Sequence, residues 1–419
     1  MNSNTPSGQA RQRWTAVRGR LALAIGVTAF SLWCVEVVLT LVASKSYESR
    51  VSDLVERSGR VPDRRARLDA VRDMRRTDST AVPLIWAVAY LDIARRADGA
   101  ARELLPLSSR SRSLTVYCNE GDGWRSFISD RHGFANPDGA WDDSVNVMLV
   151  GDSYALGQCV RTPETPMALL RGAGYKGITT GNPSNGPLSA FATFREYVEP
   201  VRPRHVLWLF FQNDVDELEI ELREPLLQRY GDKTFRQGLM DRTTARDSVL
   251  DDVLEKLVDG SVARYVPPSL ATRLKSVVTL YTLRQLASGV LHRAPPLSGA
   301  SKEVLAQALE TARDRTRSWG GDLSIVYLPS WEQFRGSAPV GDTLRAFLTS
   351  EARRLGLPLL DATEAIAGND VWAAFPLGDA ITAHYSAVGN ARLAAALGEL
   401  IESRDRERAA GPTAAPTPR

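Results

Sequence analysis

Residues 145–150 read VNVMLV, and the run closes on Gly151-Asp152-Ser153. An apolar run this short, without regular polar alternation, predicts a strand buried on both faces. Strands of that kind sit in parallel sheets covered by helices on each side. HVLWLFF (205–211), LSIVYLP (323–329) and LPLLDA (357–362) repeat the pattern. Helical segments separate them: TPMALLRGAG (165–174), ASKEVLAQALETARDRTRSWGG (300–321) and NARLAAALGELIES (390–403). The alternation predicts an α/β fold, a parallel sheet between two helical layers, with a helical insertion at about 217–300.

A second constraint lies at the N-terminus. LALAIGVTAFSLWCVEVVLTLVA (21–43) is 23 residues long. That is enough to cross about 30 Å of hydrocarbon as a helix. Val42-Ala43-Ser44 is a poor signal-peptide cleavage site, so an uncleaved single-pass anchor is expected. Glu36 interrupts the run, either as a protonated or snorkelling acid or at a helix contact. Four Arg and one Glu lie in residues 1–43, and the rest of the chain carries 48 basic and 48 acidic groups. The net +3 therefore comes from residues 1–43, the Arg-rich leader (1–20) less Glu36 of the span, and not from the body. A formally neutral body gives no reason to expect a nucleic-acid partner. Basic residues on both sides of the span nearly balance, and the body is expected outside the cytoplasm.

Residues 44–112 are expected to form a charged, solvated stalk followed by an amphipathic helix at 84–105. The segment 113–402 is the expected α/β domain. Residues 403–419, rich in Pro and Ala, are expected to be a disordered tail.

No metal or cofactor is indicated. The Cys and His residues show no zinc spacing, and neither a Walker A string nor GxSxG occurs. GAGYKG (172–177) matches GxGxxG, but it follows a helix and precedes a strand. It reads as a helix stop and turn, not a dinucleotide loop. Cys118 and Cys159 are either a disulfide pair or two separate core thiols.

Three strand ends and one loop carry candidate chemistry. Ser153 stands where a strand turns into a helix, as a nucleophile or as an N-cap. Asn213 follows 207–211, as an oxyanion donor or a turn residue. GNPSNGPL (181–188) is a loop able to present backbone N–H groups, or an ordinary turn. His384, before the last helix and five residues after Asp379, alone among the four His has the setting of a general base.

In that order, Ser, Gly loop, Asn and His, these blocks resemble the SGNH (GDSL) hydrolase superfamily over about residues 113–402. YCNEGDGWRSFISDRHGFANPD, GDSYALGQCV, NGPLSAFATFREYVEP and NDVDELEIELREPLLQRY look like a bacterial membrane-anchored or secreted subgroup associated with extracellular polysaccharide. The resemblance implies a three-layer SGNH-type sheet. It implies Ser153 as nucleophile, His384 as base, and an oxyanion hole from Ser153, the Ser184–Gly186 loop and Asn213. It also implies a Cys118–Cys159 disulfide. Three positions depart from the family pattern. Ile381 stands where an Asp is usual, leaving Asp379, Asp361 or no acid to orient His384. Ser184 takes the place of the loop Gly, and Gln212 precedes Asn213. The implied activity is esterase action on O-acetyl or other esters of carbohydrate, at the bacterial inner membrane with the catalytic domain outside. An acyltransferase using the same site, or a non-catalytic scaffold of an envelope polysaccharide assembly, is the alternative.

Overall fold

The computed structural model describes residues 8–43, 47–98, 104–120, 123–260, 274–275, 277–280, 283, 297–336, 339–378 and 383–410. The chain divides into two units, Met1–Arg50 with Tyr265–Ala294, and Val51–Arg264 with Pro295–Arg419.

In the first unit a single helix runs Gly8–Ala43. Within it Val17–Leu39 is long and apolar enough to cross a membrane. Leu21, Leu23, Ile25 and Phe30 are all exposed. Glu36 is buried, and its carboxylate accepts the Leu283 backbone N–H at 2.7 Å. Of the two expectations for this acid, the one realised is a contact with another segment.

The second unit holds two sheets. The smaller orders β1 (Val82–Pro83), β2 (Leu114–Cys118) and β3 (Arg125–Ile128) side by side, with β1 parallel and β3 antiparallel to β2. The larger contains β4 (Val147–Val150), β5 (Gly177–Thr179), β6 (His205–Phe210), β7 (Asp322–Tyr327) and β8 (Leu359–Asp361). Its order is β5-β4-β6-β7-β8, and every pair is parallel.

Side chains alternate between the two faces of this sheet, as the two-residue period of a strand requires. Met148, Val150, Val206, Trp208, Phe210 and Ile325 enter one core cluster with Phe191, Leu305, Leu309, Leu344 and Leu348. Val147, Leu149, Leu207, Leu209 and Val326 enter the other with Met167, Leu170, Leu393, Leu397 and Ile401. Both faces are dry, so the strands carry no polar alternation. The expected α/β class with helices on both faces is the observed one. GAGYKG spans the end of the helix Pro166–Gly172 and the turn into β5, with Gly174 at φ +97°.

Two expectations are corrected. Much of the charged segment 44–112 is not a solvated stalk. Val51, Val55, Ala70, Val71 and Ala81 are buried in the second unit, and Val71 packs with Val116 and Val258. Its charges are largely consumed in ion pairs, such as Arg64–Asp53, Arg65–Asp73 and Arg75–Glu255. The last helix does not stop at 403 but runs Ala387–Ala409, and residues 411–419 of the expected tail lie outside the described residues.

Candidate active site

β4 is the point where the order of the sheet reverses, since β5 lies on one side of it and β6 on the other. The crevice beyond the carboxyl end of such a strand is where open α/β sheets bind ligands. The chain leaves β4 through Gly151 at φ +148°. A Cβ there would stand 2.8 Å from the Leu209 carbonyl oxygen, so only glycine lets the turn pass this close to β6.

Asp152 follows and caps the helix Ser153–Leu156, its carboxylate accepting the Tyr154 N–H at 2.9 Å. The N-cap is therefore Asp152, which leaves the Ser153 hydroxyl uncommitted to capping. Ser153 is the first residue of that helix, so its own N–H has no intrahelical acceptor.

His384 stands beside it. The imidazole Nε2 lies 2.9 Å from Ser153 Oγ. The chain is pinned just after His384. Tyr385 donates its hydroxyl to Pro329 O at 2.6 Å, and Ser386 caps the last helix through the Gly389 N–H. The ring of Tyr154 packs 5.2 Å from the imidazole.

The carboxylate that meets Nδ1 is Glu120. Its Oε1 lies 2.7 Å from His384 Nδ1, and its Oε2 accepts the His384 backbone N–H at 3.1 Å. Asp361, the fallback acid, is occupied at the end of β8 by the Thr363 N–H and by Arg345. Asp379 lies outside the described residues. Glu120 follows β2 of the smaller sheet, two residues past Cys118. Cys118 and Cys159 are joined as a disulfide with their Cα atoms 5.3 Å apart. The bridge ties the Glu120 segment to the loop after the Ser153 helix. A signal for Glu120 was therefore present in the sequence. It stands next but one to Cys118, and Cys159 follows Ser153 by six residues.

The expected oxyanion residues gather nearby with their donors partly engaged. Asn213 directs Nδ2 at Asp152 Oδ2 (3.1 Å) and Glu217 Oε1 (3.0 Å). The Ser184 hydroxyl lies near enough to the Glu217 carboxyl to pull its pKa back down in part. Ser184 has φ +55°, the left-handed region that a non-glycine residue enters at a cost of about 1–2 kcal/mol. Its loop thus keeps the backbone conformation that glycine would favour. Gly186 is turned away, its Cβ position blocked by Glu221 Oε2 at 2.7 Å. Asn182 Nδ2, both side-chain atoms of Asn185, and Asn213 Oδ1 are buried and have no partner among the described residues. Unpaired buried polar groups are uncommon in folded proteins and call for a functional account.

The electrostatics follow from burial. Desolvation opposes the imidazolium of His384, but the charge and hydrogen bond of Glu120, with the charge of Asp152, outweigh it and hold the pKa above its ordinary value. Burial pushes the Asp152 carboxyl up, against the pull of the Tyr154 N–H, Asn213 and His384. Burial and the neighbouring Asp152 charge keep Asp214 and Glu217 well above the carboxylate range. A serine hydroxyl, an imidazole and a carboxylate in hydrogen-bonded series define an arrangement suited to acyl transfer.

No family model and no curated protein matches the chain. Solved structures do. A protein described as a lipolytic member of the G-D-S-L family, from Desulfitobacterium hafniense, is 13% identical, with 61% of this chain and 99% of that one covered at a TM-score of 0.34. The lipase/acylhydrolase from Enterococcus faecalis is 14% identical, covering 62% and 96% at 0.36. A catalytic mutant of an acetylxylan esterase from Geobacillus stearothermophilus is 14% identical, covering 61% and 93% at 0.34.

Proposed function

We propose that the protein is a membrane-anchored serine esterase working outside the cytoplasm. The observation that carries this reading is the series Ser153 Oγ to His384 Nε2 (2.9 Å) and His384 Nδ1 to Glu120 Oε1 (2.7 Å). Ser153 attacks the ester carbonyl while His384 takes its proton. Glu120 fixes the tautomer with hydrogen on Nδ1 and stabilises the imidazolium that forms. The oxyanion rests on the Ser153 N–H at the start of its helix, with Ser184 N–H and, once substrate draws it from the acids behind, the Asn213 amide as further donors. His384 then protonates the leaving alcohol, and water resolves the acyl-enzyme.

Ser153 is only 5% exposed, which suits a small acyl group better than a long chain. An O-acetyl ester of a carbohydrate fits that limit and accords with the sequence resemblance. The apolar helix Val17–Leu39 would hold the enzyme at the inner membrane, near envelope polysaccharide and the machinery that assembles it.

The test is turnover of p-nitrophenyl acetate by the full chain and by Ser153→Ala. The expected loss is on the order of 10³-fold or more. Equal rates for the two proteins reject the esterase reading. Product analysis with an oligosaccharide acceptor separates hydrolysis from acyl transfer.

A further inference from the structure

Glu120 does not belong to the sheet that carries Ser153. It hangs from the end of β2, whose hydrogen-bonded neighbours among the described residues are β1 and β3. Among the non-covalent ties of this segment, Tyr117 donates its hydroxyl to Val160 O at 3.1 Å, Asn119 Nδ2 donates to Asp63 O at 2.7 Å, and Cys118 pairs with Arg125 of β3. The covalent tie is Cys118–Cys159, two residues before Glu120 and six after Ser153. Cys159 takes the left-handed backbone at φ +72°, and its Sγ lies 3.7 Å from His384 Nδ1. The bridge therefore sits against the same imidazole nitrogen that Glu120 bonds. Within the bridge this sulfur is at most a weak acceptor. As a free thiolate beside the imidazole it would compete with Glu120 for the Nδ1 hydrogen. Opening the bridge thus does two things at one place: it frees the Glu120 segment and creates a rival acceptor.

We propose that Cys118–Cys159 is a positioning element that holds Glu120 on His384, so that the site works with the bridge closed and fails with it open. This rests on the esterase reading above. In the opening step a dithiol attacks the S–S bond, gives two electrons and two protons to the cysteines, and leaves as its cyclic disulfide. Closure returns both electrons to a disulfide oxidant, which departs as a dithiol. A chain still in a reducing compartment would accordingly be inactive, and export would switch it on.

The experiment measures p-nitrophenyl acetate kinetics of the full chain, oxidised, and reduced with dithiothreitol then desalted without oxygen. The titratable groups facing the imidazole are Glu120, Asp152, Tyr154 and, once the bridge is open, Cys159, and Glu120 helps to raise its pKa. Reduction is expected to lower kcat at least about tenfold with KM nearly unchanged, and to displace the acid limb of the pH profile as a thiolate takes the place of the carboxylate beside Nδ1. Reoxidation restores both. Cys118→Ala/Cys159→Ala, which frees the Glu120 segment without adding a thiolate, loses kcat likewise and moves the acid limb to lower pH, and Glu120→Gln responds to reductant by a smaller fold than the intact protein, because the two changes act largely through one group. Unchanged kcat and pH midpoint on reduction overturn the proposal. So does an equal fold loss in Glu120→Gln. Loss of the near-ultraviolet dichroism in both the reduced protein and the double variant also overturns it, since the bridge would then be a staple of the fold. An oxidised chain without Ser153-dependent turnover overturns the esterase reading itself, and this inference with it.

Discussion

At the scale of single residues, the acid beside His384 decides how the site titrates. His384 must be neutral to accept a proton, and its pKa is held above the ordinary 6.5 by Glu120 and Asp152 against the cost of burial. Activity is therefore expected to rise with pH through a midpoint above 6.5. Glu120→Gln removes the charge while keeping the shape. It is expected to lower kcat by about 10²–10⁴-fold and to shift that midpoint down. The check is a kcat/KM profile against pH for both proteins, and an unshifted midpoint would dissociate Glu120 from the base. Ser153 and His384 were legible because each stands at an element boundary with a chemical neighbour in the string. Glu120 was not, because what brings it to the site is a disulfide and a second sheet. The one local trace is Cys118, two residues before it, and that names no partner for the carboxylate.

At the scale of elements, the helix Pro187–Thr193 begins against a buried acid. Glu221 accepts the N–H groups of Leu188 (2.8 Å) and Ser189 (3.2 Å), and burial raises its pKa from 4.5 to about 7. A carboxyl that stays protonated longer folded than unfolded costs stability as pH rises between those two values. The folded state binds the extra proton there, so raising the pH favours unfolding. Glu221→Gln is expected to flatten this dependence by an amount on the order of a few kcal/mol between pH 5 and pH 8. Urea unfolding of both proteins at the two pH values measures it, and parallel curves would refute the assignment. The strands were legible at this scale for a simple reason. With both faces of the larger sheet dry, VMLV, HVLWLF and DLSIVY hold almost nothing a helix surface or a loop would need. Residues 51–81 misled because Arg and Asp outnumber the apolar side chains. Those charges pair with one another and with the insertion, so the few Val and Ala can be buried.

At the scale of the whole molecule, the division after Arg50 gives a direct expectation for location. A chain lacking residues 1–50 loses Val17–Leu39 and is expected to move from the membrane pellet to the supernatant with its esterase activity retained. Fractionation with an activity assay decides it, and retention in the pellet would show a further membrane contact. One consequence concerns the order in which the chain is made. Glu120 and His384 are 264 positions apart, and Ser153 lies between them. The acid emerges early, the nucleophile soon after, and the base almost last. Loop closure over such a span comes late and slowly in folding. A chain stalled or clipped before 384 holds two members of the series and nothing to join them. Turnover would thus mark a finished copy, and a half-made one could not yet cut an ester.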